Sequence, residues 1–550
     1  MSSGNDPFFD AIVIGAGFSG LYQLYKLRSM GMSVKGFEMA ADIGGTWFQN
    51  RYPGCRVDTE SYVYGYSWCE ELASGWNWSE RFIGQPEVLE YIRWAEKRMD
   101  VRKDYTFNAR VVSAEYDATR NDWTVTLEDG STASCRYLIS ATGPLSIPQM
   151  PSYAGIDRYQ GELYSSFFWP HDPSGGTGPA PTDFRGKRVG VVGTGSTGVQ
   201  IITEVAKTAG ELFVFQRTPN WCVPLGNAPL SEEDRAQIRA ELPQQIALCM
   251  ETFAGFPHKF SETSALEAAP EERERFFSQL YKAPGYGMWL GNYHDVLFDK
   301  DANAVVAEFV ARKVRERVKD PAIAEKLIPT NHPFGSKRVP MESGYYEVFN
   351  QPNVHLVDLR EDPIKELTET GIATQGGVEY PLDVIIFATG FDAVTGALDR
   401  IRIVGDKGQT LKDVWAEGPQ TYLGLQIVGF PNFFTLVAAH NGASFCNIPL
   451  CGQHQVEWVS SMLAHMRDHG MSYAEPIQAA EDKWTASVYE TIAKTLLADA
   501  DSWFLGVNTN VAGRQERKSL VYAGGGPAYR ATCAKVADNG YEGFELRRAC

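Results

Sequence analysis

Two glycine-rich turns of the same pattern constrain this chain more than any other feature. The first, Gly15-Ala16-Gly17-Phe18-Ser19-Gly20, follows the apolar run 11–14 and precedes a helical pattern. The second, Gly193-Thr194-Gly195-Ser196-Thr197-Gly198, lies in the same way between the predicted strand 188–192 and a second helical pattern. A strand, such a turn and a helix form a dinucleotide-binding unit, because glycine lets the backbone approach a pyrophosphate at the helix N-terminus. The sequence therefore predicts an α/β fold with two Rossmann-like domains.

The residues that end the next strand of each unit distinguish the two nucleotides. Glu38 follows the first turn at close to the spacing of about 20 residues at which an acid accepts hydrogen bonds from a ribose. In the second unit the strand 212–215 is followed by Gln216, Arg217 and Thr218. A guanidinium pairs with a 2′-phosphate, which a carboxylate would repel. We therefore predict FAD in the first domain and NADPH in the second, where a nicotinamide can reduce the flavin.

Short motifs at two strand ends predict where the chain passes between domains. Ala141-Thr142-Gly143 and Ala388-Thr389-Gly390 both follow apolar strands, and small residues suit such a crossing. Residues from about 231 to 327 carry helical patterns without strand alternation, which indicates a helical insert. The predicted parts are 1–145 (FAD domain, first part), 146–222 (NADP domain, first part, with a linker at 159–170), 223–330 (helical insert), 331–383 (NADP domain, second part) and 384–550 (FAD domain, second part).

Composition narrows the possible partners. The chain has 550 residues and a net charge of −17, which disfavours nucleic acid and anionic membranes. It has no apolar run long enough to span a bilayer and no secretory signal at its N-terminus. The nine cysteines include no CxxC pair, so we expect reduced thiols, no metal site and no redox dithiol. The predicted protein is cytoplasmic, and a monomer or weak homo-oligomer.

Further motifs, together with the two turns, resemble the type I Baeyer–Villiger monooxygenases, a branch of the class B flavin monooxygenases. They are Gly44-Gly45-Thr46-Trp47, Arg51-Tyr52-Pro53-Gly54 followed by Asp58, and the two Ala-Thr-Gly strand ends. The resemblance runs from Asp10 to about Phe544. The family carries F-x-G-x-x-x-H-x-x-x-W-P between its turns. Here Gly161, Trp169 and Pro170 match and Tyr159 replaces the phenylalanine, but Ser165 stands where the family has histidine.

The resemblance implies a reaction. NADPH reduces FAD, the reduced flavin takes up O2 as a C4a-peroxyflavin, and one oxygen atom enters next to a ketone carbonyl to give an ester or lactone. The segment around 441–447 resembles family members that act on bulky or large-ring ketones. Two alternatives stay open: a heteroatom (S/N) oxygenase with the same cofactors, and an uncoupled, NADPH oxidase-like flavoprotein in which Ser165 no longer links the domains.

The resemblance also implies roles for individual residues. Arg338 matches the family's catalytic arginine and Asp58 the acid beside it, and a permanent guanidinium can stabilise an anionic oxygen. Lys337 matches a second 2′-phosphate contact beside Arg217, and Trp503 a tryptophan near the nicotinamide. Further predicted cofactor contacts are Gly45, Thr46, Trp47, Tyr64, Ser196, Thr197 and Thr218. The predicted substrate pocket contains Gln85, Ser444 and Phe445.

Overall fold

The first part of the chain builds most of one large sheet. The structure is a computed structural model, and it describes residues 7–442, 446–508 and 513–548. Its first helices and strands are β1 (Phe8–Ile14), α1 (Phe18–Ser29), β2 (Val34–Phe37), α2 (Thr46–Gln49), α3 (Glu70–Ser74), α4 (Gln85–Met99), β3 (Tyr105–Thr106), β4 (Val111–Asp117), β5 (Asp122–Leu127) and β6 (Thr132–Ser140). The strands β6, β1, β2 and β3 are parallel, and the antiparallel pair β4–β5 extends the same sheet.

The second sheet holds the second glycine-rich turn. The elements up to the insert are β7 (Glu162–Ser165), β8 (Arg188–Val192), α5 (Ser196–Val205), β9 (Glu211–Gln216) and β10 (Val223–Pro224). Those after the insert are β11 (Met341–Glu342), α11 (Tyr345–Val348), β12 (Val354–Asp358), β13 (Ile364–Leu367), β14 (Gly371–Thr374), β15 (Glu379–Pro381) and β16 (Val384–Phe387). Five parallel strands form the sheet in the order β12-β9-β8-β16-β7. The two sheets confirm the predicted pair of Rossmann-like domains.

The insert between β10 and β11 is helical, as the sequence predicts. Its helices are α6 (Glu232–Glu251), α7 (Pro270–Lys282), α8 (Gly287–Leu290), α9 (Lys300–Arg317) and α10 (Pro321–Leu327). The helix α6 begins with a capping box: the Ser231 hydroxyl accepts from the Asp234 N–H, and the Asp234 carboxylate accepts from the Ser231 N–H.

The last part of the chain returns to the first sheet. Its elements are β17 (Arg402–Val404), α12 (Leu411–Val414), β18 (Phe433–Thr435), α13 (Ile448–Asp468), β19 (Tyr473–Pro476), α14 (Gln478–Ala493), α15 (Gly526–Asp538) and β20 (Phe544–Arg547). The strand β17 pairs with β4, and β18 pairs with β6, both in parallel. The helix α13 packs along α1, the helix that follows the first turn.

The predicted boundary at residue 384 needs correction. Residues 384–387 form β16, which lies between β8 and β7 and is therefore an interior strand of the second sheet. The chain rejoins the first sheet only after Gly390, because its next strand in that sheet is β17. The linker 159–170 is also more than a connector, since its residues 162–165 supply the edge strand β7. Ser165 is the last residue of that strand and pairs with Phe387.

A buried glutamate in α14 predicts a pH-dependent stability. Glu481 is 2% exposed, its Oε1 accepts from the Val428 N–H at 2.8 Å, and burial raises the pKa of its carboxyl to about 7. The folded state therefore binds a proton that the unfolded state releases above its ordinary pKa near 4.5, so stability falls as the pH rises from 4.5 to 7. We expect Glu481→Gln to remove this fall and to stabilise the protein at pH 8 by up to about 3 kcal/mol.

Urea unfolding at pH 5 and at pH 8 measures this effect. Glu490→Gln is the matched control, because Glu490 is an exposed glutamate of the same helix. A wild-type pH dependence that survives unchanged in Glu481→Gln would show that Glu481 does not carry it.

Candidate functional site

One cavity of about 350 Å³ collects residues from both Rossmann-like domains, the insert and the C-terminal part. Many of the residues predicted from sequence lie in its wall: Gly15, Gly17, Glu38, Gly45, Thr46, Trp47, Asp58, Tyr64, Ser196, Thr197, Arg338 and Trp503. The wall does not include Gly20, Gly193, Gly195, Gly198, Arg217, Thr218, Lys337 or Gln85. Ser444 and Phe445 lie outside the described residues.

Two glycines of the first glycine-rich turn, Gly15 and Gly20, are packed so closely that no side chain fits. Gly15 has a φ of +107°, and a Cβ there would lie 2.5 Å from the carbonyl oxygen of Ala141. A Cβ on Gly20 would lie 2.1 Å from the carbonyl oxygen of Gly15, so Gly20 lets α1 pack against β1. The turn thus leaves the start of α1 open to the cavity at Gly17 and Phe18.

Glu38 follows β2 and contacts the first glycine-rich turn. Its Oε2 accepts from the Ala16 N–H at 2.7 Å, and its Oε1 accepts from the Ala40 N–H at 2.8 Å. Burial raises the pKa of the carboxyl, against the effect of these backbone donors. The carboxylate is therefore fixed at the end of β2 in the cavity wall, where it can accept from ribose hydroxyls. These residues fit the adenosine half of FAD.

The second turn repeats the geometry of the first. Gly193 has a φ of +111°, and a Cβ there would lie 2.4 Å from the carbonyl oxygen of Ala388. Each Ala-Thr-Gly strand end therefore supplies the small alanine against which the first glycine of a turn packs. A Cβ on Gly195, at the N-cap of α5, would meet no protein atom within 4 Å. The open space in front of this helix end fits a pyrophosphate, as NADPH requires.

Two cations lie near each other at the carboxyl end of β9. Arg217 follows this strand and is exposed, and Lys337 is partly buried. Burial lowers the pKa of the Lys337 ammonium, the nearby Asp501 raises it, and Arg217 lowers it through repulsion between the two positive charges. The Thr194 hydroxyl donates to the carbonyl of Thr218 at 2.9 Å and fixes the loop behind Arg217. Two repelling cations at this point fit a bound 2′-phosphate.

Asp58 and Arg338 form an ion pair in the cavity wall. Nη2 of Arg338 donates to Oδ2 of Asp58 at 2.9 Å. The Asp58 side chain is 3% exposed, whereas the Arg338 side chain is 39% exposed and so remains accessible from the cavity. Burial raises the pKa of the Asp58 carboxyl, and Arg338 opposes that shift. Tyr286 and Asp58 raise the pKa of the guanidinium, which therefore stays cationic.

The loop that carries Asp58 is held against the second domain. The Tyr52 hydroxyl donates to Oε1 of Gln200 in α5 at 2.9 Å, and Nε2 of Gln200 donates to the carbonyl of Arg56 at 3.3 Å. A Cβ on Gly54 would lie 2.6 Å from Cγ of Glu204 in the same helix. The Arg-Tyr-Pro-Gly segment thus couples the position of Asp58 to that of the second glycine-rich turn.

Gln85 does not line the cavity, in contrast to the prediction. Its side chain is 1% exposed, and its amide donates to the carbonyls of Trp47 at 2.6 Å and Thr177 at 3.0 Å. The amide group is therefore occupied in joining the Gly44–Trp47 segment to the loop after the linker. Arg51 supports the same connection, because it donates to the carbonyl of Phe48, next to that segment, and to carbonyls of the loop. This residue supports the wall from behind.

The aromatic residues predicted near the cofactors do line the cavity. The Trp47 indole N–H donates to the Tyr64 hydroxyl at 3.2 Å, with the two rings edge to face. Trp503 enters from the C-terminal part with its ring beside Phe504, at a centroid distance of 4.3 Å. These flat apolar surfaces suit the ring systems of FAD and NADPH.

Sequence reasoning missed the contribution of the insert. Phe256, Tyr286, Trp289 and Leu290 all lie in the cavity wall. The insert contains stretches that combine aromatic residues with glycine within a mainly helical region, and these were the available signal: Phe253-Ala254-Gly255-Phe256 and Pro284-Gly285-Tyr286-Gly287. The insert therefore completes the site.

The cysteines depart from the prediction at one pair. Cys446 and Cys451 form a disulfide at the start of α13, with Cα atoms 6.3 Å apart, whereas the sequence predicts only reduced thiols. The sequence Cys446-Asn447-Ile448-Pro449-Leu450-Cys451 brings them together because α13 begins between them. Six other described cysteines are free. Within the described ranges, no three metal-ligating side chains cluster.

The arrangement defines a flavoprotein oxidoreductase that a nicotinamide nucleotide reduces, because two dinucleotide cradles meet at one cavity with a guanidinium in its wall. A family model for flavin-binding monooxygenase-like proteins matches residues 10–226. The chain is 53% identical over 98% of its length to 2-oxo-Δ3-4,5,5-trimethylcyclopentenylacetyl-CoA monooxygenase of Pseudomonas putida, covering 98% of that protein. It is 40% identical to cyclopentanone 1,2-monooxygenase of a Comamonas species, over 99% of the chain and 97% of that protein.

A solved structure agrees over the whole length. The crystal structure of OTEMO in complex with FAD and NADP superposes with a TM-score of 0.94 at 53% identity, covering 98% of this chain and all of that one. The chain belongs to the type I Baeyer–Villiger monooxygenases. It is an FAD-containing, NADPH- and O2-dependent monooxygenase that inserts one oxygen atom next to a ketone carbonyl. No described helix combines the length and the apolar character needed to cross a membrane.

Proposed function

We propose that this monooxygenase acts on bulky or cyclic ketones, with Arg338 and Asp58 as its catalytic pair. The observation that carries the proposal is the position of the Arg338 guanidinium. It reaches the cavity beside Phe256, Trp289 and Leu290, so a charged group and an apolar surface face the same space. A ketone with a large carbon skeleton can then bury its rings while its oxygen faces the cation.

The apolar part of the wall supports the preference for size. Phe256, Trp289 and Leu290 come from the insert, and Ile448 and Phe504 come from the C-terminal part. Each buried CH₂ contributes about 0.8 kcal/mol to binding, so a ring with substituents gains several kcal/mol that acetone cannot. The Pseudomonas relative, named for a substituted cyclopentenyl substrate, and the Comamonas relative, named for cyclopentanone, support a cyclic substrate.

The proposed roles follow from charge and geometry. Reduced FAD supplies the electrons and the site at which O2 is activated. Arg338 keeps its positive charge at any physiological pH, and a cation fixed in a site that excludes water stabilises negative charge that develops on oxygen. Asp58 holds the guanidinium in one orientation through the 2.9 Å hydrogen bond. Glu38 and the glycine-rich turns hold the nucleotides, and Arg217 with Lys337 selects NADPH.

A panel of ketones tests the substrate class. Acetone, cyclopentanone, larger ring ketones, a steroid ketone and the cyclopentenylacetyl-CoA compound are compared by product formation per NADPH consumed. We expect kcat/KM at least tenfold higher for ring ketones than for acetone, which corresponds to about 1.4 kcal/mol. A preference for acetone contradicts the size argument. A sulfide oxidised in place of every ketone favours a heteroatom oxygenase, and H2O2 without product favours an uncoupled oxidase.

We further infer that the enzyme acts in the cytoplasm, and its dependence on NADPH supports this. The monomer or weak homo-oligomer expected from the sequence stays a prediction. Size-exclusion chromatography with light scattering of the holoenzyme measures it.

A further inference from the structure

Tyr286 makes a closed set of contacts with the Asp58–Arg338 pair. Its hydroxyl donates to Oδ2 of Asp58 at 3.1 Å, on the same oxygen that accepts from Arg338. Nη2 of Arg338 in turn lies 3.3 Å from the Tyr286 hydroxyl and donates to it. Three groups therefore form one hydrogen-bonded triangle, in which each constrains the direction of the other two.

The tyrosine ring is held rigidly within the insert. Tyr286 is 2% exposed, and its ring packs edge to face on Phe256 at 5.0 Å and on Trp289 at 5.3 Å. The preceding Gly285 has a φ of +77°, and a Cβ there would lie 2.5 Å from Oε1 of Glu60. Since the ring cannot turn away, the hydroxyl is presented to Asp58 in a single orientation.

The same hydroxyl is a permanent donor. Burial raises the pKa of Tyr286, so the phenol stays protonated over the whole working range. Oδ1 of Asp58 is buried and has no hydrogen-bond partner among the described residues, which leaves Oδ2 to carry both bonds. Loss of the hydroxyl would leave Asp58 with Arg338 as its single side-chain partner there, and would free the guanidinium to move.

We propose that Tyr286 is a positioning residue for oxygen insertion, which acts through Asp58 to hold the Arg338 guanidinium toward the cavity. The proposal rests on the proposed role of Arg338. It adds a side chain of the insert to the residues that position this guanidinium. It assigns the insert a part in the chemistry, because the insert carries the third member of the triangle. Removing the hydroxyl should therefore affect oxygen insertion and leave the delivery of electrons to FAD unchanged.

The test is the holoenzyme variant Tyr286→Phe, assayed with the ketone that the wild type converts best. We expect the rate of FAD reduction by NADPH to stay unchanged. Product formed per NADPH should fall about tenfold, the effect of about one lost hydrogen bond to a charged group. In an Asp58→Ala background the added Tyr286→Phe change should have a smaller effect, because only the direct contact between the tyrosine hydroxyl and Arg338 is left to lose.

A second readout needs neither substrate nor turnover. Losing a donor raises the pKa of Asp58 further, so Tyr286→Phe should lose stability relative to wild type as the pH rises from 4 to 8. The difference in melting temperature between the two proteins should therefore be smaller at pH 4 than at pH 8. The other titratable groups whose charges act on or respond to Asp58 are Tyr52, Cys55, Arg56, Tyr64 and Cys222.

Tyr293→Phe is the matched control, because Tyr293 is a buried tyrosine of the same insert that packs on Phe276 and does not line the cavity. A stability difference in Tyr286→Phe that is independent of pH, like that of the control, would overturn the proposal. So would a parallel loss of FAD reduction and product. If no ketone is converted by the wild type, the proposed function fails, while the pH-dependent stability still reports on the contact between Tyr286 and Asp58.

Discussion

Replacing Arg338 with alanine should leave the reduction of FAD by NADPH intact and lower ester or lactone formation by about 10²–10³-fold, the loss that follows removal of one donor to a developing oxyanion. The guanidinium is 39% exposed toward the cavity, and its partner Asp58 is buried behind it. The nucleotide cradles are built from other residues, so electron delivery does not need Arg338. Stopped-flow measurement of flavin reduction, followed by product analysis in air, separates the two steps.

Two further variants keep this result interpretable. Alanine at 338 leaves the Asp58 carboxylate buried without its cation, which costs about 3–5 kcal/mol of stability. Asp58→Asn combined with Arg338→Ala removes that charge and should restore stability without restoring product. Arg360→Ala is the matched control, because Arg360 pairs with Asp358 at 2.7 Å and neither residue lines the cavity. Product formation that survives in Arg338→Ala, or a joint loss of flavin reduction, would contradict the proposed role.

Local patterns predicted the nucleotide-binding units well, because their geometry depends on neighbours in sequence. Strand, glycine turn and helix are adjacent in the chain, and the close packing of Gly15 and Gly193 permits no side chain. The same locality explains the capping box at Ser231. The predicted boundary at 384 was wrong because the same local pattern, an apolar strand followed by Ala-Thr-Gly, occurs in both sheets. Only the pairing of β16 with β7 and β8 shows that this strand belongs to the second sheet.

The reaction side of the site could be predicted only in part, since it is assembled over long separations. Tyr286 lies 228 residues from Asp58 in sequence, and their hydrogen bond has no local signature. Gln85 shows the reverse case: its amide was expected to face substrate but binds two backbone carbonyls instead. A buried polar side chain must satisfy its donors wherever partners exist, and these partners become known only with the fold.

The pair Arg217 and Lys337 should decide between NADPH and NADH. We expect Arg217→Ala to lower kcat/KM for NADPH by about 10–100-fold, because a hydrogen bond to a charged group contributes about 1.5–3 kcal/mol. The value for NADH, which lacks the 2′-phosphate, should change little. The double variant Arg217→Ala/Lys337→Ala should lose nearly all of the preference for NADPH over NADH in kcat/KM. Because Arg217 is exposed, the wild-type preference should also decline as salt is added.

Steady-state kinetics with both nucleotides at low and high salt measure this preference. Arg185→Ala is the matched control: Arg185 is an exposed arginine just before β8, at the opposite end of the strand from the glycine-rich turn. Lys337 precedes Arg338, so product formed per NADPH at saturation shows whether the loss of Lys337 has disturbed Arg338. An unchanged NADPH-to-NADH ratio in the double variant would mean that the phosphate binds elsewhere.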